Sequence, residues 1–330
     1  MKKNLLIFTL IILSIFILGG CTKQDNEQYR ADGSSLNTYV SITLYGCGSS
    51  EIAENALKLC DYYEKILSRT DSDSLLYKLN NEGHIYVDSP EAEILSEVIS
   101  IGIEYGKLTN GALDITIEPL SSLWNFGSGN ESVPKPEDIN VALKKVDYNS
   151  VEITDKEIMT GGARIDLGAV AKGYIGMKIR DYLLEQGADS ALINLGGNII
   201  CVGNKAEGTP FRIGIQRPFE DTSDVIESLS VSDMSIVTSG VYERYFREGD
   251  DFYHHILNPD TGYPCDNGLL SVTVISEDST ACDCLSTGLF VLGMEEARKL
   301  ADSLDGVYAI FVDEDYNIYY SENAEQFLSK

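Results

Sequence analysis

Basic residues are scarce. The 330-residue chain carries 25 Lys and Arg against 52 Asp and Glu, a net charge of −27. Nucleic-acid binding rests on neutralising phosphates with cations, so the composition argues against it. The same deficit argues against docking on anionic lipid through a basic face. A phosphorylated ligand must then be held by a local device: a metal ion, a helix N-terminus or a few placed cations. Histidine is scarcer still, at positions 84, 254 and 255. The seven cysteines form no Cys-x-x-Cys pair and no Cys/His cluster with zinc spacing, so zinc is not expected. No Walker loop, dinucleotide Gly-x-Gly-x-x-Gly fingerprint or Ser/His/Asp nucleophile elbow is present. What remains is a globular composition, 43% apolar and 23% charged. The length allows one large domain or two ordinary ones and is enough to bury a substantial core.

The N-terminus reads as an address. Lys2 and Lys3 precede an apolar run from Leu5 to Leu18. That run is short for a membrane span, which needs about 20 residues, and fits a secretory h-region. It ends in Leu18-Gly19-Gly20-Cys21, which resembles a bacterial lipobox. The expectation is a signal peptide over 1–20 and a lipid anchor on Cys21, with two or three acyl chains giving stable attachment. The protein would then sit on the extracytoplasmic face of the bacterial cell membrane. Losing residues 1–20 removes two lysines and no acid, which takes the charge from −27 to −29. Residues 21–35 read as a flexible, lipidated tether, and 36–330 as one domain. Six cysteines remain after Cys21: Cys47, Cys60, Cys201, Cys265, Cys282 and Cys284. An extracytoplasmic setting permits disulfides, but Cys282 and Cys284 lie two apart on an expected helix, point to different faces and should not pair.

Periodicity predicts a strand over 37–45 and a helix from Ser49 or Ser50 to about Leu67. A second helix starts at Ser89-Pro90-Glu91, where Pro suits the first turn and acids suit the helix N-terminus. A short helix follows the 128–137 loop, and a long one opens at Gly168 and runs to about Gly187. Strands are expected near 190–194, 199–203, 211–216, 228–232, 235–239 and 271–275, with helices over 278–293 and 295–304. A hairpin over 307–321 closes the chain. Strands and helices mix without strict alternation, so the fold class is α+β, with mixed or antiparallel sheets and packed helices.

Four segments carry chemistry. The first runs from Gly111 to Leu120 (GALDITIEPL), followed by Leu123-Trp124-Asn125-Phe126-Gly127. It sets an acid, a hydroxyl and the single Trp around an expected strand-to-turn transition; the Trp face suits a planar ring, or simply the core. In the second, Arg164 to Gly173 (RIDLGAVAKG), a strand ends at Asp166-Leu167 and a helix begins near Gly168. Small residues let a ligand approach the backbone, free N–H groups favour phosphate, and Lys172 could reach the same anion or simply face water. The third is Tyr253 to Pro264 (YHHILNPDTGYP), a tight turn preceded by His255, which is either a proton acceptor near neutrality or a packing residue. In the fourth, Asp278 to Phe290, Asp283 and Thr287 are four apart and share a helix face. A carboxylate with a hydroxyl suits Mg²⁺, which keeps waters and takes substrate phosphate; an exposed helical acid is the bland reading.

Taken in order, GALDIT…PL..LW.FG, ARIDLGAVAKGY, INLGGNI, HHILNPDTGYP and STACDCLSTGLFVLG resemble the ApbE family of lipid-anchored bacterial FAD:protein FMN transferases. The similarity runs over about 37–320, and the SRTDSDSLLYKLN segment also resembles the family's N-terminal part. The resemblance implies a single α+β unit related to the T-fold. It implies FAD as substrate and Mg²⁺, with Mn²⁺ as a possible substitute, on the pyrophosphate. A Thr or Ser hydroxyl of an acceptor flavoprotein subunit attacks the FMN phosphorus and AMP leaves. Carried over by motif, Ala169 gives a carbonyl to the metal, and Asp283 and Thr287 give side-chain oxygens. Leu36, Ala112, Leu113, Asp114, Asp166, Lys172 and Ile256 line the flavin nucleotide, and His255 is the base. Leu36 stands where the family has Met, and Thr70 where many members have an aromatic. Two other readings use the same residues: an FAD pyrophosphatase giving FMN and AMP, and a non-catalytic flavin-binding lipoprotein.

Overall fold

The computed structural model describes residues 27–329 apart from Cys47, Ala206 and Thr222. The expected signal peptide, Cys21 and the first residues of the expected tether lie outside the described residues. No helix among those described is long and apolar enough to cross a membrane.

One eight-stranded sheet organises the molecule. Its strands are β1 (Gln28–Ser35), β2 (Thr38–Tyr45), β3 (Ala191–Leu195), β4 (Asn198–Val202), β5 (Ser235–Gly240), β6 (Leu269–Ser276), β7 (Tyr308–Asp313) and β8 (Ile318–Tyr320). Their order across the sheet is their order along the chain, and every neighbouring pair is antiparallel. The expected α+β architecture with antiparallel pairing is therefore what forms. Helices enter as insertions. Between β2 and β3 come α1 (Ser50–Leu67), α2 (Leu75–Glu82), α3 (Pro90–Leu108), α4 (Glu118–Trp124), α5 (Pro136–Leu143) and α6 (Ala171–Glu185); between β6 and β7 come α7 (Ser279–Leu292) and α8 (Met294–Ser303).

Strand alternation decides which face meets what. Ile236, Ile275 and Ile310 point to one face, where a hairpin of Phe211–Gln216 and Val225–Val231 covers them. Their neighbours Val237, Val274, Ala309 and Phe311 point to the other face, toward Leu285, Leu289 and Phe290 of α7. That helix is buried almost all round, as an apolar helix must be. Cys282 packs among the β5–β7 side chains and Cys284 on the side of α7 that meets α3 and α6, so the two thiols do face apart, and both are free.

Several boundaries differ from the sequence reading. Residues 28–35, read as tether, form β1 and pair with β2 throughout. Their polarity misled, because an edge strand needs only one covered face; Ala31 and Ser35 supply it. The two-residue turn between β1 and β2 places Leu36 and Asn37 at φ 56° and 55°. Asn tolerates that region, whereas a branched Leu is strained there. The Glu64 carboxylate on α1 holds the turn, accepting from the Ser35 hydroxyl at 3.0 Å and the Leu36 N–H at 3.1 Å. The expected strands before Asp114 and Asp166 are absent, and both segments run as turns and irregular chain. Side chains capture their backbones instead: Asn80 brackets Ile165 with hydrogen bonds of 2.6 and 2.8 Å. The helix expected from Gly168 begins at Ala171, behind a turn over 168–170.

Candidate active site

A cleft of about 550 Å³ opens where the turn after α1, the 112–117 turns, the 166–172 junction, the β3–β4 turn, β5, the 255–259 loop and α7 converge. This is within the range of cavities that hold organic cofactors. Every residue within the domain that the family resemblance carried over lines it: Leu36, Ala112, Leu113, Asp114, Asp166, Ala169, Lys172, His255, Ile256, Asp283 and Thr287. Cys21, the lipidation candidate, lies outside the described residues.

Asp283 is not the exposed helical acid of the bland reading. Its side chain is 4% exposed, and one carboxylate oxygen accepts the Gly173 N–H at 2.8 Å. The other lies 3.9 Å from the Lys172 ammonium. This works because α6 and α7 pack without a side chain between them at residue 173. Thr287, one turn on, hydrogen-bonds Ser239 on β5 at 3.1 Å. Among the described residues no three His, Cys, Asp or Glu side chains are placed to hold a metal. One carboxylate, one hydroxyl and a backbone carbonyl, all oxygen, nevertheless match what Mg²⁺ takes from a protein when substrate phosphate and water complete its shell.

The two adjacent histidines divide their tasks. His254 is buried and clips the loop: its Nε2 bonds the Cys265 carbonyl at 2.8 Å and its Nδ1 accepts the Ile256 N–H at 3.3 Å. Those partners fix a neutral tautomer, and burial lowers its pKa. His255 lines the cleft, with its Nδ1 buried and unpartnered. Burial first, and then the Arg244 guanidinium, push its pKa down to about 3. The imidazole is therefore neutral and basic in form at pH 7.

Trp124 belongs to the core. It is fully buried, stacks on Phe126, and donates its indole N–H to the Gly262 carbonyl at 2.8 Å. It joins the first motif to the tight turn of the third rather than facing a ring in the cleft. The Asp114 carboxylate is likewise spent inside. It accepts from the Thr116 N–H and hydroxyl at 2.7 and 2.6 Å and from the Tyr148 N–H at 3.1 Å, and burial raises its pKa despite these bonds. Asp114 thus shapes the cleft wall by fixing backbone.

Sequence reasoning missed the ion pairs behind Asp166. Arg69 Nε lies 2.9 Å from Asp166, and its guanidinium also approaches Glu118 at 3.9 Å. Glu118, 5% exposed, takes Arg164 at 2.7 and 3.2 Å. Burial pushes the Glu118 carboxyl up, but Arg164, Ser122 and Arg69 outweigh it and hold the pKa below the usual range. A depressed carboxyl pKa adds stability above the unfolded value near 4.5, which is lost as pH falls through the folded value. Glu118→Gln is therefore expected to be less stable by about 2 kcal/mol at pH 7. This is below the full buried-pair figure because Arg164 keeps a third of its surface in water. The gap in melting temperature should narrow as pH drops from 5 toward 3; a gap independent of pH would contradict the pairing.

A family model for the ApbE family matches residues 36–311. The chain belongs to the ApbE family. Among its ApbE relatives, a FAD:protein FMN transferase of Klebsiella pneumoniae is 34% identical, over 90% of this chain and 93% of that protein. One from Vibrio cholerae is 30% identical, over 97% of this chain and 98% of that protein. The crystal structure of the ApbE protein from Thermotoga maritima superposes with a TM-score of 0.84 at 33% identity, covering 92% of this chain and all of the other. The flavin transferase ApbE of Vibrio cholerae superposes with a TM-score of 0.79 at 28% identity, covering 92% and 99%. The antiparallel sheet with inserted helices is thus the ApbE fold.

Proposed function

We propose that the chain transfers FMN from FAD to a Thr or Ser hydroxyl of an extracytoplasmic or membrane-associated flavoprotein subunit, releasing AMP. It would do so from the outer face of the cell membrane, anchored through Cys21. The relatives named FAD:protein FMN transferase support the activity. The observation that carries the reading is the convergence on one cleft of Asp283, Thr287, Ala169, Lys172 and His255.

In the reaction the acceptor oxygen bonds to the FMN phosphorus, and the anhydride bond to the bridging oxygen breaks. AMP leaves with that oxygen. Mg²⁺, or Mn²⁺ in its place, would be held by the Ala169 carbonyl, Asp283 and Thr287, and would supply Lewis-acid neutralisation of the pyrophosphate. The chain's own residues contribute position and charge, which is most of what phosphoryl transfer requires. The Gly173 N–H fixes the Asp283 carboxylate. Lys172 stands within reach of the same anion. Leu36, Ile256 and Leu113 supply apolar wall, and the Asp166–Arg69 pair stiffens the 166–172 junction. His255 takes the hydroxyl proton.

The His255 pKa fixes the pH behaviour. kcat/KM reports the free enzyme, so its profile should show no loss of a base with midpoint near 6.5 between pH 5 and 7. A bound dinucleotide brings negative charge that favours imidazolium, so the profile of kcat should break at higher pH than that of kcat/KM. A kcat/KM profile that falls below pH 6.5 and is flattened in His255→Asn would contradict this.

The direct test incubates the full chain with FAD, Mg²⁺ and a membrane fraction of the source cell. Denaturing electrophoresis should show a fluorescent protein band, and mass spectrometry should place FMN on a Thr or Ser. Release of free FMN and AMP with no labelled protein would make the chain a pyrophosphatase; tight FAD binding without turnover would make it a carrier.

A further inference from the structure

The hydroxyl of Thr287 sits in a run of side chains that gives it a direction. Ser239 Oγ lies 3.1 Å from Thr287 Oγ1 and 2.9 Å from Ser286 Oγ. Ser286 donates its own proton to the Asp283 carbonyl at 3.0 Å. A hydroxyl has one proton to give, and a carbonyl can only accept. With the Ser286 proton committed to the carbonyl, its oxygen is free to accept from Ser239. The Ser239 proton is then used, and its oxygen accepts from Thr287. The Thr287 proton therefore points to β5, and its lone pairs face the cleft that Asp283 also lines.

We infer that Ser239 and Ser286 are positioning residues that keep Thr287 in the orientation of a cation ligand. The inference rests on the metal reading above and adds a requirement to it. A threonine free to turn its proton toward the cleft would have to give up that freedom, and any other hydrogen bond it made, before its lone pairs could meet a divalent ion. The chain is closed at both ends by groups of the same helix turn: it starts at Thr287 and ends on the backbone of Asp283. Carboxylate and hydroxyl are thus set by one segment of α7, with β5 supplying the link. Partners that orient a metal ligand typically matter by 10–100-fold in affinity.

The experiment uses the full chain and Mn²⁺ as the probe, followed by electron paramagnetic resonance, with ADP supplying the pyrophosphate so that no turnover intervenes. Ser239→Ala should weaken Mn²⁺ binding about 10–100-fold, while Ser239→Thr, which keeps the hydroxyl, should restore it. Thr287→Ala should weaken binding as well, and the Ser239→Ala/Thr287→Ala double variant should be no weaker than Thr287→Ala alone, because Ser239 acts only through Thr287. A merely structural role for Ser239 would instead give additive losses that track melting temperature. Ser239→Ala binding Mn²⁺ as tightly as the wild type, while Asp283→Asn does not bind it, would overturn the relay and leave the metal reading standing. Asp283→Asn binding normally would remove the metal reading itself.

Discussion

Asp283→Asn is expected to lower FMN transfer by about 10³-fold or more, the scale seen when a group that stabilises transition-state charge is lost. The fold should survive. Asparagine keeps an oxygen that can accept the Gly173 N–H, now at 2.8 Å from the carboxylate. What disappears is the negative charge, and with it the pull on a divalent ion. It also leaves Lys172 without the carboxylate 3.9 Å away. The comparison to make is the initial rate of acceptor labelling against Mg²⁺ concentration, with circular dichroism as the control for folding. If raising Mg²⁺ rescues the rate, Asp283 acts by holding the ion. A folded variant that labels its acceptor at the normal rate and normal Mg²⁺ would show that the ion is held elsewhere.

Gly173→Ala is expected to be the most damaging single methyl in the structure's centre. A Cβ there would lie 2.3 Å from the Ser279 carbonyl oxygen, 2.7 Å from Asp283 Cβ and 2.8 Å from Thr280 Cα. Two of those atoms are backbone of α7, and none is the free end of a flexible side chain. The two helices must move apart, at a cost of about 3 kcal/mol, the upper part of the range for overpacking. The movement also stretches the Gly173–Asp283 hydrogen bond, so activity should fall further than stability alone explains. Gly33→Ala is the control. Its Cβ would meet the Leu57 methyl ends at 3.0 and 3.3 Å, which can rotate away, so the loss should stay below about 1 kcal/mol. Denaturant melts of the three proteins decide; equal effects at the two glycines would contradict the close helix approach.

Much of this site was legible because its chemistry is concentrated in short motifs. Asp283 and Thr287 share a face through helix periodicity alone. The turn from Asn258 to Gly262 follows from Asx chemistry, with the Asn258 side chain accepting the Asp260 and Thr261 N–H groups. The helices at Ser50 and Pro90 were legible through their caps: Ser49 accepts the Ile52 N–H and Ser89 the Ala92 N–H. The rest depends on partners distant in sequence. Arg69 meets Asp166 and Arg164 meets Glu118 with no spacing to announce them. Ser239 finds Thr287 only because β5 lies beside α7. Strand β1 was hidden by polar composition, since its pairing with β2 satisfies the backbone whatever the side chains are. Trp124 could not be assigned to core or ligand until Phe126, Tyr253 and Gly262 were seen around it.

The proposed function requires one oxygen-ligated divalent ion to join α7 to the pyrophosphate of the dinucleotide. Crystals of the full chain grown with FAD and Mn²⁺, measured for the anomalous signal of manganese, test it directly. The expected result is one strong peak bonded to the Asp283 carboxylate, the Thr287 hydroxyl and the Ala169 carbonyl, with pyrophosphate oxygens completing the shell. A dinucleotide bound without a peak there, or a peak on carboxylates outside the cleft, would contradict it.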